Sequence, residues 1–201
     1  TSIEEAGVGF LFARSHHSAM RHVAPIRASL GIRTIFNLLG PLSNPAGASH
    51  QILGVYEERW LRPMAETLHK LGIERAWVVH GVDGVDEISI SGETRVVEVS
   101  RSGLRELTIS PVDAGLETSP LSALEGGTPE ENSAAIRELL EGRPGPFRDM
   151  VALNAAAGLH ILGLADDLRA GVYLALSAID SGAALKTLTM LADISHGRLE
   201  Q

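Results

Sequence analysis

The sequence contains no cysteine, and only 4% of its 201 residues are aromatic. Disulfide bonds, thiolate-bound zinc and a cysteine nucleophile are therefore excluded. No apolar run approaches the roughly 20 residues that a membrane-spanning helix needs, and the first residues lack the basic region of a signal peptide. Few aromatic residues together with abundant Ala, Leu and Gly favour an α/β protein over an all-β sandwich.

Basic residues are in the minority, since 17 Lys and Arg stand against 25 Asp and Glu and give a formal net charge of -8. This balance argues against a general nucleic-acid-binding surface. An anion would have to bind at a local cluster of basic side chains or at the N-terminus of a helix. Hydrophobic residues make up 44% of the chain, which suits one globular domain or most of a larger one.

The stretch 27–45 combines cations with a stiff backbone. It carries Arg27 and Arg33 in apolar surroundings, then a Gly-Pro pair at 40–41 and an Asn-Pro pair at 44–45. Proline and glycine pairs fix tight turns, and an arginine among apolar side chains is costly unless an anion meets it. The stretch could therefore form a pocket for a small carboxylate or phosphate. Taken alone, it fits better a helix, a buried strand or short helix, and a loop with both arginines solvated.

A βαβ unit is predicted over residues 50–81. Apolar runs at 50–57 and 74–81 are typical of buried strands, and the apolar stripe between them indicates a helix over 58–72. A right-handed crossover would make the two strands parallel. Gly54, inside the first strand, predicts a close approach of another part of the backbone.

The segment HGVDGVDEIS, residues 80–89, follows the second strand of this unit. Open α/β sheets bind ligands beyond the carboxyl ends of their strands. Asp83, Asp86 and Glu87 lie here among glycines, and crowded carboxylates repel one another unless a hard cation lies between them. Oxygen ligands at this density suit Mg²⁺, which takes one or two carboxylates together with water and substrate phosphates. A solvated acidic turn is the alternative interpretation.

Alternating residues over 87–110 predict a half-exposed β-meander. Helices are expected over 128–141, from 146 onward, over 166–182 and over 183–195. Asn154 and His160 fit satisfied polar groups of the core better than catalytic groups. The expected fold class is α/β, with a mainly parallel central sheet flanked by helices and a small β-meander.

Several long motifs occur in order along the chain: FLFA, HH-x-AM-x-HVAPIRASLGIRTIFNLLGPLSNPAGA, VVHG-x-DGVDEIS, NAAAGL and AIDSGAAL. Together they closely resemble the anthranilate phosphoribosyltransferase family over essentially the whole chain. The resemblance implies that residues 1–201 form the C-terminal portion of that family's α/β domain. The domain would then be incomplete and would lack the family's small N-terminal helical domain.

What the resemblance implies is a transferase of tryptophan biosynthesis. The family transfers the phosphoribosyl group of phosphoribosyl pyrophosphate (PRPP) to anthranilate, releases pyrophosphate and needs Mg²⁺. Its members are usually homodimers, so the expected partners are the two substrates, the missing N-terminal segment and a second subunit. Nucleic acid and membranes are not expected as partners, and the expected location is cytoplasmic.

The resemblance also assigns roles to individual residues. The amine of anthranilate is neutral at pH 7, so no general base is needed and no catalytic residue is assigned. The guanidinium of Arg27 would contact the anthranilate carboxylate, with which it can form two parallel hydrogen bonds. The remaining roles are the lining of the anthranilate channel by His17, Gly40 and Pro41, and the binding of Mg²⁺ by Asp86 and Glu87.

The chain also departs from the family. Arg14 and Ser18 stand where family members usually have proline, and the family's GTGGD, Asn-x-Ser-Thr and Lys-His-Gly-Asn segments are absent. These segments complete the PRPP and anthranilate sites, so we expect little or no activity from the 201-residue chain alone. Two alternatives remain open: a related nucleoside-phosphorylase-like transferase, and a non-catalytic fragment. Arg27 with the Gly-Pro pair at 40–41 suits a carboxylated aromatic ring better than a uracil ring.

Overall fold

A computed structural model of the chain describes residues 2–11, 40–42 and 46–197. Within these ranges four strands form one sheet in the order β1-β2-β3-β4. The strands are β1 His50–Gly54, β2 Arg75–Gly81, β3 Thr94–Ser100 and β4 Gly103–Ile109. β1 and β2 are parallel, while β2 with β3 and β3 with β4 are antiparallel, so the described sheet is mixed. The predicted α/β class is confirmed.

Helices of the described ranges lie against this sheet and against one another. They are α1 Ser2–Ala6, α2 Leu61–Lys70, α3 Pro129–Leu140, α4 Pro146–Ile161, α5 Leu168–Asp180 and α6 Ala183–Ser195. Short 3-10 turns lie at Glu58–Trp60, Pro111–Ala114 and Leu121–Leu124. In this part of the chain no single helix has the length and apolarity to cross a bilayer, and only α5 and α6 taken together, bent by 63°, would qualify.

The sheet buries both of its faces. Successive side chains of a strand point to opposite faces, so Trp77 and Val79 join one core cluster while Ala76 and Val78 join another. The first cluster is completed by buried residues of α4 and α5, and the second by those of α2. The result is a layer of helix on each side of the sheet, as the unbroken apolar run of β2 predicts.

The parallel pairing of β1 with β2 confirms the predicted βαβ unit. His50 of β1 pairs with Arg75 of β2, and Gly54 pairs with Val79 at the other end. The carboxyl ends of both strands therefore meet at the same edge of the sheet, and the chain leaves β2 at this edge to form the segment described below.

The predicted meander begins later than its sequence pattern indicates. Residues 86–93 contain no strand, although Ile88 and Ile90 are completely buried. The alternating apolar and polar residues here belong to a non-regular segment. Its backbone is hydrogen-bonded in part by the side chains of Asn154 and Thr94. Only the hairpin of β3 and β4 has the expected ladder.

Candidate functional site

The acidic loop, residues 82–91, leaves the carboxyl end of β2. Its first turn is closed by backbone hydrogen bonds, in which the N–H of Gly81 donates to the Val85 carbonyl at 2.9 Å and the N–H of Gly84 donates to the Gly81 carbonyl at 2.8 Å. Gly84 has a φ of 96°, in the region that favours glycine. The sequence therefore turns sharply directly after the strand and returns along the edge of the sheet.

Asp83 fastens the two halves of the acidic loop together. Its carboxylate accepts hydrogen bonds from the hydroxyl groups of Ser89 and Ser91, and more weakly from the N–H of Val85 at 3.4 Å. Partial burial alone would raise the pKa of the Asp83 carboxyl, but these donors outweigh it and bring the pKa below its ordinary value. The carboxylate of Asp83 is thus engaged in hydrogen bonds to other groups of the protein.

The stabilisation from Asp83 should depend on pH. Because its pKa is lowered in the folded state, its contribution is complete above the unfolded pKa and is lost as the pH falls through the folded value. We expect Asp83→Asn to lower the free energy of unfolding by about 1 kcal/mol at pH 7, allowing for the exposure of the group. The difference from the parent should shrink as the pH falls through the ordinary range of an aspartate carboxyl and below it. Urea unfolding at pH 7 and at acidic pH measures it, and a difference independent of pH would contradict the assignment.

Gly54 of β1 meets the acidic loop at its centre. A β-carbon built on Gly54 would lie 1.6 Å from the carbonyl oxygen of Asp86 and 2.6 Å from its carbonyl carbon. Distances this short leave room for a hydrogen atom only, so the loop backbone rests directly on the strand. The close approach predicted from the glycine is confirmed, and its partner is the residue that carries the first of two adjacent carboxylates.

Asn154 of α4 holds the other side of the acidic loop. The N–H of Ile88 donates to Oδ1 of Asn154 at 3.0 Å, and Nδ2 of Asn154 donates to the Ile88 carbonyl at 2.9 Å. The N–H of Ser89 donates to Oγ1 of Thr94 at 3.0 Å. The Ile90 carbonyl accepts from the N–H of Ser119 at 3.0 Å. Two side chains and one loop amide therefore take the place of a strand partner, which explains why residues 88–90 are not a strand.

Asp86 and Glu87 remain free on this fastened backbone. Both are exposed, and in the described part of the chain no hydrogen bond or ion pair involves either side chain. Across the described part of the chain, no group of three or more His, Cys, Asp or Glu side chains is placed to hold a metal ion. Two adjacent carboxylates with open surroundings nevertheless fit Mg²⁺, which keeps several water ligands and shares substrate phosphates.

An open cleft of about 530 Å³ lies beside Glu87. Asn154 lines the same cleft, together with apolar side chains such as Met150 and Phe147. Glu87 is thus positioned at the rim of a concave surface and not on a flat face, as a ligand-binding carboxylate requires.

The other residues predicted for the site lie elsewhere or outside the described ranges. The carbonyl oxygen of Pro41 accepts a hydrogen bond from Nε2 of Gln51 at 3.0 Å, and Gly40 directly precedes it. Gln51 lies about 10 Å along β1 from Gly54 and points to the opposite face. Pro41 and Asp86 thus both contact β1, but at different positions along the strand. His17 and Arg27 lie outside the described residues.

One residue that organises this loop, Asn154, was not predicted to belong to the site, and a second, Asp83, was predicted only as one of three acids that could bind a metal. Asn154 reads as a satisfied polar group in an apolar helix, which is correct, but the sequence does not show that its partner is Ile88. Asp83 is one of three acids in the loop, and local sequence treats them alike. The hydroxyl residues at 89 and 91, alternating with buried isoleucines, were the available signal for its different role.

The model of the glycosyl transferase family, a/b domain, matches residues 1–185 of the chain. The chain belongs to this glycosyl transferase family. A relative from Hyphomonas neptunium, an anthranilate phosphoribosyltransferase, is 66% identical over 194 residues, which are 96% of this chain and 57% of the relative. The chain thus spans a little over half the length of this family member, and the predicted resemblance is confirmed.

Solved structures of the glycosyl transferase family agree with the fold. Anthranilate phosphoribosyltransferase from Thermus thermophilus superposes with a TM-score of 0.87 at 53% identity, covering 94% of this chain and 56% of that one. The Saccharomyces cerevisiae enzyme in complex with PRPP and Mg superposes with a TM-score of 0.80 at 32% identity, covering 88% and 51%. Its complex with 4-fluoroanthranilate gives 0.84 at 32% identity, covering 92% and 54%.

Proposed function

We propose that this chain forms the metal-binding part, and one wall of the acceptor site, of an anthranilate phosphoribosyltransferase. The enzyme transfers the phosphoribosyl group of PRPP to anthranilate, releases pyrophosphate and forms phosphoribosyl-anthranilate for tryptophan biosynthesis. The observation that carries the proposal is the acidic loop, where the side chains of Asp86 and Glu87 have no partner within the described part of the chain while Asp83 and the backbone of Ile88 are hydrogen-bonded. Relatives that bind PRPP and Mg, and an analogue of anthranilate, support it.

Asp86 and Glu87 are proposed to hold Mg²⁺ at the leaving pyrophosphate. The ion supplies positive charge to oxygens that gain negative charge as the bond to the ribose breaks. The protein's own contribution is to fix the backbone that carries the two carboxylates before the substrate arrives. The contact of Gly54 with the Asp86 carbonyl and the bonds of Asn154 to Ile88 achieve this, because they immobilise the backbone on both sides of Glu87.

The acceptor half of the proposal rests on Arg27 and the channel residues His17, Gly40 and Pro41. A guanidinium binds a carboxylate through two parallel charge-assisted hydrogen bonds. The amine of anthranilate is neutral near pH 7 and attacks without prior loss of a proton. The complete enzyme, meaning a polypeptide of the family's full length that contains this chain, is proposed to be a homodimer.

Replacing Arg27 with alanine in the complete enzyme tests the acceptor. We expect the KM for anthranilate to rise about 10- to 100-fold, because a charge-assisted pair contributes about 1.5–3 kcal/mol. The KM for PRPP should change less than about threefold. Initial rates of phosphoribosyl-anthranilate formation, with one substrate varied at a time, measure both constants.

Arg33→Ala is the matched control, since it removes an arginine six residues away in the same stretch. It should leave the KM for anthranilate closer to that of the parent. Equal effects of Arg27→Ala on the two substrates would count against anthranilate as the acceptor. They would favour a related transferase that acts on a nucleobase.

A further inference from the structure

We infer that Asn154 is a positioning residue for the two carboxylates of the acidic loop, acting through the backbone of Ile88. The inference rests on the proposed function, because it assigns Asn154 to the site where Asp86 and Glu87 would hold the metal. Asn154 lies 66 residues beyond Ile88 in the sequence and on a different layer of the fold. Its link to the loop is therefore made only by tertiary structure.

The side-chain amide of Asn154 is almost fully used by the protein. Oδ1 accepts from the N–H of Ile88, while Nδ2 donates to the carbonyl oxygens of Ile88 at 2.9 Å and of Met150 at 3.0 Å. Both amide protons are thus engaged, and one acceptor position is left. An amide so committed holds the backbone of Ile88 and has no amide proton left to donate to a ligand.

The hydrogen bonds between Asn154 and Ile88 also fix the backbone of the residues that precede Ile88. Ile88 is completely buried and directly follows Glu87, so the backbone that carries Glu87 is fixed from its C-terminal side. On the other side the carbonyl of Asp86 rests on Gly54. Glu87 thus forms a one-residue bridge between these two fixed points, the first of which is on Asp86 itself. Loss of Asn154 would leave two buried polar groups of Ile88 without partners and would release one end of the bridge.

The chain offers a matched control on another helix. Asn132 of α3 makes the same kind of paired contact, accepting from the N–H of Gly127 at 2.9 Å and donating to its carbonyl at 3.2 Å. Gly127 precedes the N-terminus of α3 and is not part of the acidic loop. Asn132→Ala therefore removes the same kind of side chain and a pair of hydrogen bonds with the same pattern, here at an exposed position, without touching the proposed metal site.

The test compares Asn154→Ala and Asn132→Ala in the complete enzyme. Calorimetric titration with the Mn²⁺ complex of PRPP gives the dissociation constant, and initial rates give the KM for each substrate. We expect Asn154→Ala to raise the dissociation constant about 10-fold or more, as loss of the residues that orient metal ligands does. The KM for PRPP should rise with it, while the KM for anthranilate stays within about twofold. Asn132→Ala should change neither constant.

Two outcomes overturn the inference while leaving the proposed function intact. The first is binding of the Mn²⁺–PRPP complex by Asn154→Ala as tightly as by the parent. The second is an equal loss of binding in Asn132→Ala, which would indicate general loss of stability. The double variant Asp86→Asn, Glu87→Gln separates the two proposals. If it binds the complex as tightly as the parent, the metal assignment itself is wrong, and the inference falls with it.

A measurement on the unaltered protein covers the case in which Asn154→Ala does not fold. Hydrogen exchange of the Ile88 amide reports the Asn154 bond directly, because Oδ1 of Asn154 is its acceptor. We expect this amide to be protected in the parent and to exchange more slowly still with Mg²⁺ and PRPP. Exchange at the rate of an unstructured peptide, or no change on adding Mg²⁺ and PRPP, would overturn the inference.

Discussion

Replacing Gly54 with alanine is expected to reduce kcat/KM for PRPP by about 100-fold or more. The added methyl group would lie 1.6 Å from the carbonyl oxygen of Asp86, and the obstacle is backbone that no side-chain rotation can remove. Either β1 or the acidic loop must therefore move by more than 1 Å, and a misplacement of about 1 Å can cost about 100-fold in rate. Overpacking of this kind also costs about 1–3 kcal/mol of stability. Steady-state kinetics and thermal unfolding measure the two effects.

Gly92→Ala is the control for this substitution. Gly92 lies just after the acidic loop, has no positive φ, and a β-carbon there would meet nothing within 4 Å. It should retain the activity and the melting temperature of the parent. Gly54→Ala with full activity would show that the contact with Asp86 does not position the loop.

Neutralising the two free carboxylates should have a comparably large effect. Asp86→Asn and Glu87→Gln in the complete enzyme are each expected to lower kcat/KM for PRPP by about 100- to 1,000-fold. This is the range seen when one group that stabilises charge in a transition state is removed. Thermal stability should change little, because neither side chain has a partner among the described residues. Initial rates at several Mg²⁺ concentrations measure the loss.

Glu93→Gln controls for the loss of one negative charge from the same segment. Glu93 is exposed, and among the described residues its one partner of opposite charge is Arg95, whose Nη2 lies 3.7 Å from Oε2 of Glu93. It should keep the parent's kcat/KM and the parent's dependence on Mg²⁺. Activity of Asp86→Asn or Glu87→Gln within a few-fold of the parent would remove these carboxylates from the metal site.

The local parts of the fold were predictable because their signals lie close together in sequence. The strand, helix and strand of residues 50–81 follow from apolar periodicity, and the N-terminus of α3 follows from Thr128 and Glu131. The N–H of Glu131 donates to Thr128 Oγ1 at 3.2 Å, and Glu131 Oε2 accepts from the N–H of Thr128 at 2.7 Å. The antiparallel addition of β3 to β2 was not predicted, because strand order depends on packing across the whole sheet.

The sequence indicated which acidic residues form the candidate site, but not which contacts hold the acidic loop in place. Acids among glycines after a parallel strand point to Asp83, Asp86 and Glu87 alike, and only the family resemblance singles out the last two. Gly54 indicates a close contact without naming its partner. The separate role of Asp83 depends on hydroxyl groups that reach it only after the loop has folded. The role of Asn154 depends on a contact across 66 residues, which no local pattern contains.

A crystal structure of the complete enzyme with Mn²⁺, PRPP and anthranilate tests the central claim most directly. Mn²⁺ scatters anomalously, so its position can be located independently of the refined protein. The account predicts an anomalous peak about 2 Å from a carboxylate oxygen of Asp86 or Glu87 and in contact with the pyrophosphate. It also predicts the guanidinium of Arg27 at the anthranilate carboxylate. Manganese bound away from both acids, with Arg27 remote from anthranilate, would contradict it.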